Sequence, residues 1–111
     1  MHIAFVCQFD PRRAAPLLNA ADRETAATLQ GRTNTPVANM LPELLRRGHQ
    51  VTLIAAEPAI ATPVTLSGAG FTLRLLPQRP APFVPILDRF RTERQSLVKA
   101  IREAAPDLVH A

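Results

Sequence analysis

The feature that most constrains the fold of this chain is a short apolar run near its start, Ile3–Cys7. The run is nearly unbroken and contains β-branched and aromatic residues, which is typical of a strand buried on both faces in the middle of a parallel sheet. Parallel sheets bind ligands just beyond the carboxyl ends of their strands. In this sequence that end is Gln8–Pro11, and a long polar connection follows it. The first strand therefore predicts both the class of sheet and the place where a ligand would bind.

A helix and a second strand follow that connection, in the order expected of a βαβ unit. The spacing predicts a helix over Pro36–Arg47, since proline is favoured at a first helical position and Gly48 supplies a left-handed stop. A second strand is expected over His49–Ala56, and the crossover between the two strands should be right-handed. The helix has one apolar stripe at helical spacing, formed by Val37, Met40, Leu41, Leu44 and Leu45.

The remainder of the chain adds two further strands and a long helix. Phe71–Leu76 is predicted as the third strand, and Val64–Leu66 is long enough only for a short one. Pro77–Pro85 holds four prolines, which excludes regular structure there. A helix with a solvated, charged outer face is predicted over Ile86–Ala104, and a fourth strand over Asp107–Ala111. The alternation of strands and helices predicts an α/β domain, with a parallel sheet flanked by helices.

The connection from Pro11 to Asn34 is much longer than the roughly two to six residues usual between a strand and its helix. Ala20–Gln30 can form a short helix within it, but so few of its residues are apolar that we expect it to pack loosely. The whole connection should therefore be more mobile than the sheet. Its polar side chains suit a hydroxyl-rich or phosphorylated ligand, although each can equally be a solvated loop residue. These side chains are Asp10, Arg12, Arg13, Asp22, Arg23, Arg32, Thr33 and Asn34.

The balance of charge and the single cysteine narrow the classes of function. The formal net charge is +4, and Lys99 is the one lysine among 13 basic residues. Arginine suits phosphate and carboxylate groups, but its abundance can equally reflect genomic base composition. The chain has no Trp or Tyr, and its Phe residues are not interleaved with the arginines, so nucleic-acid binding is not expected. Cys7 should be a small buried hydrophobe, and a lone cysteine fits a reducing compartment.

The sequence carries no targeting or membrane-spanning signal. No segment approaches the roughly 20 apolar residues of a membrane span, and the start lacks the charge order and cleavage site of a signal peptide. We therefore expect a cytoplasmic protein, and peripheral contact with the inner face of the membrane stays open.

Motifs for cofactors, metals and catalysis are also missing from the sequence. No Gly-x-Gly-x-x-Gly follows the first strand, and Gly68–Gly70 precedes a strand, so we interpret it as a turn. His2, His49 and His110 are too dispersed to predict a metal site, and no Ser/His/Asp set can be argued. The sequence therefore predicts no cofactor, no metal and no catalytic residue.

Three segments taken together carry a resemblance to a known family. They are Met1–Val6, Leu41–Leu53, in which Arg-Gly-His leads into the second strand, and Leu97–Ala111, in which Ala-Pro-Asp-Leu-Val-His-Ala leads into the fourth. In this order they resemble the N-terminal domain of the retaining glycosyltransferases of family 4, which have two Rossmann-like domains in the GT-B fold. The resemblance covers the whole chain and only part of such an enzyme.

The resemblance implies that residues 1–111 are the acceptor-side domain of a hexosyltransferase, truncated at the fourth strand, with strand order 3-2-1-4. The missing C-terminal domain would bind the nucleotide-sugar donor, and this chain would bind a hydroxyl acceptor on a glycan, a lipid or a small molecule. The chain alone is then expected to be inactive. Gly31 is its one candidate for the glycine backbone that the family presents to substrate after strand one. The substrate-binding residues are predicted as Asp10, Arg12, Gly31, Arg32, Thr33, Asn34 and His110.

Two alternatives stand beside this interpretation. One is a free-standing small α/β module that binds a nucleotide or a metabolite without catalysis, and the other is a non-catalytic partner protein. The fourth strand should also leave Leu108 and Val109 on an exposed apolar edge, which invites pairing with another chain. Self-association through that strand is therefore expected.

Overall fold

The computed structural model describes residues 1–29, 31, 35–57, 60–79 and 90–111. Within these ranges one sheet contains five strands, β1 (His2–Val6), β2 (Gln50–Glu57), β3 (Val64–Gly68), β4 (Phe71–Pro77) and β5 (Leu108–His110). The α-helices in these ranges are α1 (Ala20–Ala27), α2 (Thr35–Arg46) and α3 (Arg91–Ala104), and a 3-10 helix spans Pro11–Leu17. None of the helices described is long and apolar enough to cross a bilayer.

The strands run in the order β3-β4-β2-β1-β5, and every neighbouring pair is parallel except β3 with β4. This arrangement confirms the α/β class and a mostly parallel sheet flanked by helices. The predicted strand order 3-2-1-4 is wrong, because Val64–Gly68 forms a complete edge strand that pairs antiparallel with β4. The sequence indicated only a short strand here, because Val64 and Leu66 are the only apolar residues of β3. That pattern is typical of an edge strand with one solvated face.

The two faces of the sheet pack against different helices. On one face, Ile3 and Phe5 of β1 join Leu53 of β2 in a core that includes Val37 and Leu41 of α2. Full burial of a side chain such as Leu41 contributes about 1.5–3 kcal/mol relative to exposure. On the opposite face a smaller core forms around Ile54, Leu76 and Ala100, the last of which belongs to α3. The sheet therefore carries most of its apolar contacts on the α2 side.

The predicted helix bounds differ from the structure at their beginnings. Helix α2 begins at Thr35, one residue before the predicted start. Helix α3 is described from Arg91, and residues 86–89 of the predicted helix lie outside the described ranges. Ala105, the residue that ends α3, has a left-handed backbone with φ 47°, a conformation that favours glycine.

Residues 11–29 of the long connection dock on the domain through buried alanines and hydrogen bonds to β3, whereas loose packing was expected. Ala14 of the 3-10 helix and Ala26 of α1 are completely buried. The backbone N–H of Asn19 donates to the Ser67 carbonyl at 2.9 Å, and the Asp22 carboxylate accepts from the Ser67 N–H at 2.8 Å. The connection thereby satisfies backbone groups on the outer side of β3, which would otherwise be an open sheet edge. Its small alanine side chains let the backbone approach closely, so low apolar content was a poor guide.

Gly68 marks the closest approach between the connection and β3. A Cβ atom at this position would collide with the carbonyl of Leu17 and crowd the Cα of Leu18 at 3.0 Å. Glycine is therefore required here for steric reasons, and the turn interpreted from Gly68–Gly70 has a second role as the docking point of the connection.

Candidate functional site

The carboxyl ends of β1, β2 and β4 lie on one edge of the sheet, where open parallel sheets bind their ligands. Beyond β1, the backbone N–H of Cys7 donates to the Ile54 carbonyl at 3.2 Å, which extends the parallel pairing by one step. Phe9 is then buried in the main core and anchors the chain before it turns at Asp10. The hydrogen bond of Cys7 and the burial of Phe9 thus fix the chain just beyond β1, and with it the position of Asp10 at this edge.

Asp10 acts as the N-cap of the 3-10 helix. Its Oδ1 accepts from the backbone N–H of Arg12 at 3.0 Å, and its backbone carbonyl accepts from the N–H of Arg13 at 2.9 Å. The residue is only 7% exposed, so the alternative of a solvated loop residue is wrong for Asp10. Hydrogen bonds from the Arg12 side chain hold the pKa of the carboxyl below its ordinary value, against the opposing effect of burial. Asp10 is therefore an ionised structural anchor.

Arg12 is oriented by that anchor. Its Nε lies 3.1 and 3.2 Å from the two carboxylate oxygens of Asp10, and its Nη2 lies 2.8 Å from Oδ2. The hydrogen bond to Asp10 also raises the pKa of the guanidinium, which stays charged. The Arg12 side chain is nevertheless 53% exposed. A guanidinium held in one orientation and open to solvent can donate to hydroxyl or phosphate oxygens at this edge.

Gly31 returns the chain to the point where the connection left the sheet. A Cβ atom at this position would lie 2.6 Å from the Phe9 carbonyl oxygen and 3.3 Å from the Cα of Asp10. The structure thus brings together Asp10, Arg12 and Gly31, three of the predicted site residues. The close approach that requires glycine here is to the chain's own backbone. Predicted site residues Arg32, Thr33 and Asn34 lie outside the described residues.

His110 lies at the end of β5, in register with Phe5 of β1. The two ring centroids are 5.4 Å apart and the rings are tilted by 49°, a favourable geometry for aromatic side chains. The imidazole is exposed, and its described ring contact is with Phe5, which belongs to the main core. The structure therefore ties His110 to the core of the sheet, on the strand beside β1.

Asp22 and Arg23, two further polar residues of the connection, are used inside the domain. The Asp22 carboxylate accepts a hydrogen bond from the Ser67 N–H of β3. Arg23 donates from Nε to the Ala15 carbonyl at 3.0 Å and from Nη2 to the Leu18 carbonyl at 3.2 Å. These contacts satisfy carbonyls around the end of the 3-10 helix. Both side chains therefore hold the connection in place.

At this edge Glu57 was not predicted from the sequence, and Cys7 was expected to be a small buried hydrophobe. Glu57 is the last residue of β2 and is only 4% exposed, whereas the predicted second strand ended at Ala56. The signal that could have found it is an acidic residue directly after an apolar strand, because carboxyl ends of parallel strands converge on ligands. Cys7 is partly buried beside the main core, and burial raises the pKa of its thiol.

The α3 side of the same edge holds a partly buried ion pair and a small apolar cavity. Nε and Nη2 of Arg79 lie 3.0 and 2.7 Å from the two carboxylate oxygens of Glu93, whose side chain is 15% exposed. The charged outer face predicted for this helix includes Glu93, which is less exposed than that prediction implies. The hydrogen bond from Arg79 lowers the pKa of Glu93 to about 2. A cavity of about 170 Å³ beside Glu93 is lined mainly by Val6, Ile54, Leu76, Pro77 and Leu97.

No cluster of three or more His, Cys, Asp or Glu side chains suited to a metal ion occurs in the part of the chain that the structure describes. Comparison with known protein families, with curated proteins and with solved structures found no match to this chain.

Proposed function

We propose that this chain is the acceptor-side domain of a GT-B glycosyltransferase that acts in the cytoplasm. The observation that carries the proposal is the junction at the end of β1, where Gly31 meets Phe9 and Asp10 beside the exposed guanidinium of Arg12. The family resembled by the sequence uses a loop after the first strand to meet substrate. Here that loop returns at Gly31 to the point where it left the sheet, on the edge where open parallel sheets bind their ligands.

The chemistry of this junction suits a hydroxyl-rich or phosphorylated acceptor. Asp10 holds Arg12 through two guanidinium nitrogens, so Arg12 loses little further side-chain freedom when it binds an oxygen. A glycan, a lipid headgroup and a small polyol all present such oxygens, and Arg12 would orient the acceptor. The nucleotide-sugar donor would bind to a second domain.

A transfer assay with the protein encoded by the complete reading frame tests this proposal. Arg12→Gln should raise the KM for the acceptor about 10- to 100-fold, because a hydrogen bond to a charged group contributes roughly 1.5–3 kcal/mol. The KM for the nucleotide-sugar should stay unchanged. Arg102→Gln on the exposed face of α3 is the matched control, with no effect expected on either constant. Absence of transfer from UDP-, GDP- and ADP-sugars to any acceptor would contradict the proposal.

A second candidate function is a small module that binds a nucleotide or a metabolite by itself. The buried carboxylate of Glu57 at the end of β2 favours it, because dinucleotide-binding sheets use an acidic residue for the ribose hydroxyls. Calorimetry of the 111-residue chain against UDP-, GDP- and ADP-sugars separates the two functions. The acceptor-side proposal expects no appreciable binding, whereas micromolar binding that Glu57→Gln abolishes would establish the second candidate.

A further inference from the structure

The amino-terminal half of the sheet's α3 face is polar, which is unusual for a parallel sheet. Both faces of such sheets are normally covered and apolar. On this face the apolar residues Val6, Ile54 and Leu76 occupy the carboxyl half, where α3 packs. The rest of the same face is mostly polar, with the buried Ala4 beside Thr52, and its polar residues are His2, Thr52, Thr65, Ser67, Thr72 and Arg74. Of these, Arg74 and Thr65 lie in the same cross-strand row as Val6 and Ile54, on the β4–β3 side.

The strand register brings these polar side chains together. Thr52 of β2 lies opposite Thr72 of β4, and Arg74 of β4 lies opposite Thr65 of β3, so each pair shares one face of the sheet. Nε2 of His2 lies 2.7 Å from the Thr52 hydroxyl, and Nη1 of Arg74 donates to the Thr65 hydroxyl at 2.9 Å. The hydroxyls of Thr52, Thr72 and Ser67 therefore share one cross-strand row, with the His2 imidazole on one side of it and the Arg74 guanidinium in the next row.

The last turns of α3 cover part of this polar surface. Ala100, Glu103 and Ala104 lean over it and enclose a cleft of about 280 Å³ that also includes His2 and Arg74. A second recess of about 250 Å³ shares His2, Thr52 and Thr72 with the first and extends past Gln50. Pockets for drug-sized ligands are about 300–1,000 Å³, so this cleft suits a smaller molecule.

The cleft is lined by one arginine and one acidic residue, Arg74 and Glu103. Nζ of Lys99, outside the lining, lies 3.9 Å from Oε1 of Glu103. Nη2 of Arg74 lies 3.4 Å from the Glu103 carboxylate, a long and weak contact. Nε of Arg74 is buried, and it has no hydrogen-bond acceptor among the described residues. An anionic ligand would face Glu103 and a cationic ligand would face Arg74, so neither is favoured. An uncharged ligand whose groups both donate and accept would match the whole set of partners.

We propose that this cleft binds a small uncharged polyol, such as a sugar or a cyclitol. Hydroxyl groups of the ligand would accept from Arg74, donate to Glu103 and exchange hydrogen bonds with Thr52 and Thr72. The cleft opens at the amino-terminal part of the sheet, whereas Asp10 and Arg12 follow the carboxyl end of β1. Binding here is therefore independent of the proposed transferase function and would survive its failure.

Titration of the ¹⁵N-labelled 111-residue chain with glycerol, myo-inositol and glucose, followed by NMR, tests the proposal. At least one polyol should shift the amides of Thr52, Thr72 and Arg74 in a saturable way. Thr72→Val keeps the shape of the side chain and removes its hydroxyl, so it should weaken binding about five- to tenfold. Thr92→Val, on the first turn of α3 and outside the cleft, is the matched control and should bind as the unmodified chain does.

Three results would overturn the proposal. They are shifts that stay linear in ligand concentration, saturable binding that Thr72→Val leaves unchanged, and stronger saturable binding of inorganic phosphate than of every polyol. Spectra of the two variants without ligand establish that each retains the fold, so that a loss of binding reports on the cleft.

Discussion

Replacement of Asp10 by alanine removes two kinds of stabilising interaction at once. An N-cap contributes about 0.5–2 kcal/mol. The ion pair with Arg12 contributes about 0.2–1 kcal/mol, because 53% of the Arg12 side chain is exposed and solvent screens the pair. Arg12 regains water when the carboxylate is removed, so no unpaired charge is buried. We therefore expect Asp10→Ala to lower the free energy of unfolding by about 1–3 kcal/mol, out of roughly 5–15 kcal/mol for a typical domain.

Urea unfolding at pH 7 measures this loss, and two further variants divide it into its parts. Asparagine is as good an N-cap as aspartate, so Asp10→Asn keeps the cap and loses only the charge, at a cost of about 0.2–1 kcal/mol. Arg12→Ala removes the ion pair from the other side and should cost about the same. If the free energy of unfolding of Asp10→Ala lies within about 0.3 kcal/mol of that of the unmodified chain, the cap at the end of β1 contributes no stability, contrary to this prediction.

The pH dependence supplies an independent check on the charge of Asp10. Its pKa is lowered in the folded state, so its charge contributes stability that is fully present above the unfolded pKa of about 3.9. That contribution is lost as the pH falls through the folded pKa. The difference between the unmodified chain and Asp10→Asn should therefore shrink towards zero in acid. A difference that stays constant between pH 7 and pH 2 would show that the ion pair is not what separates the two proteins.

Three further changes have defined outcomes. Gly68→Ala should cost about 1–3 kcal/mol and expose the Asn19 amide to hydrogen exchange, since the new Cβ collides with the docked connection; normal protection of Asn19 would contradict this. Ala105→Gly should raise the free energy of unfolding by up to about 1 kcal/mol, because it relieves a left-handed alanine, and an unchanged urea midpoint would count against that strain. The chain should self-associate in sedimentation at high concentration, because Leu108 and Val109 are 52% and 42% exposed on β5, and a charged residue at Leu108 should abolish this. An unmodified chain that stays monomeric at high concentration would contradict the predicted self-association.

The central part of the fold could be predicted because its signals are local and repeated. The continuous apolar runs of β1 and β2 are typical of strands covered on both faces, and the stripe of α2 fits one helix face. The stop at Gly48 follows from its backbone, whose φ of 84° is accessible mainly to glycine. In each case the information lies within a few residues of the element that it predicts.

The rest of the fold and of the site depends on contacts between distant segments, which no local pattern records. The outer groups of β3 are satisfied by Asn19 and Asp22, so its pairing depends on a connection that packs through small alanines. Glu93 pairs with Arg79, 14 residues earlier, and a proline-rich segment separates the two in sequence. Gly31 could be picked out as a glycine late in a loop, but its meeting with Phe9 required the fold.

That meeting also governs how freely the chain can vary in length. The connection departs after Phe9, touches β3 at Gly68 and comes back to Phe9 at Gly31, so its two ends coincide. Because the two ends of the connection lie together, a change in its length need not move the elements that precede and follow it. Lengthening a loop costs little, roughly 0.6 kcal/mol for each doubling. Residues could therefore be added between Leu29 and Thr28, which is exposed and follows the end of α1, while Ala26 keeps its place in the core and the sheet and the junction with Asp10 keep their geometry.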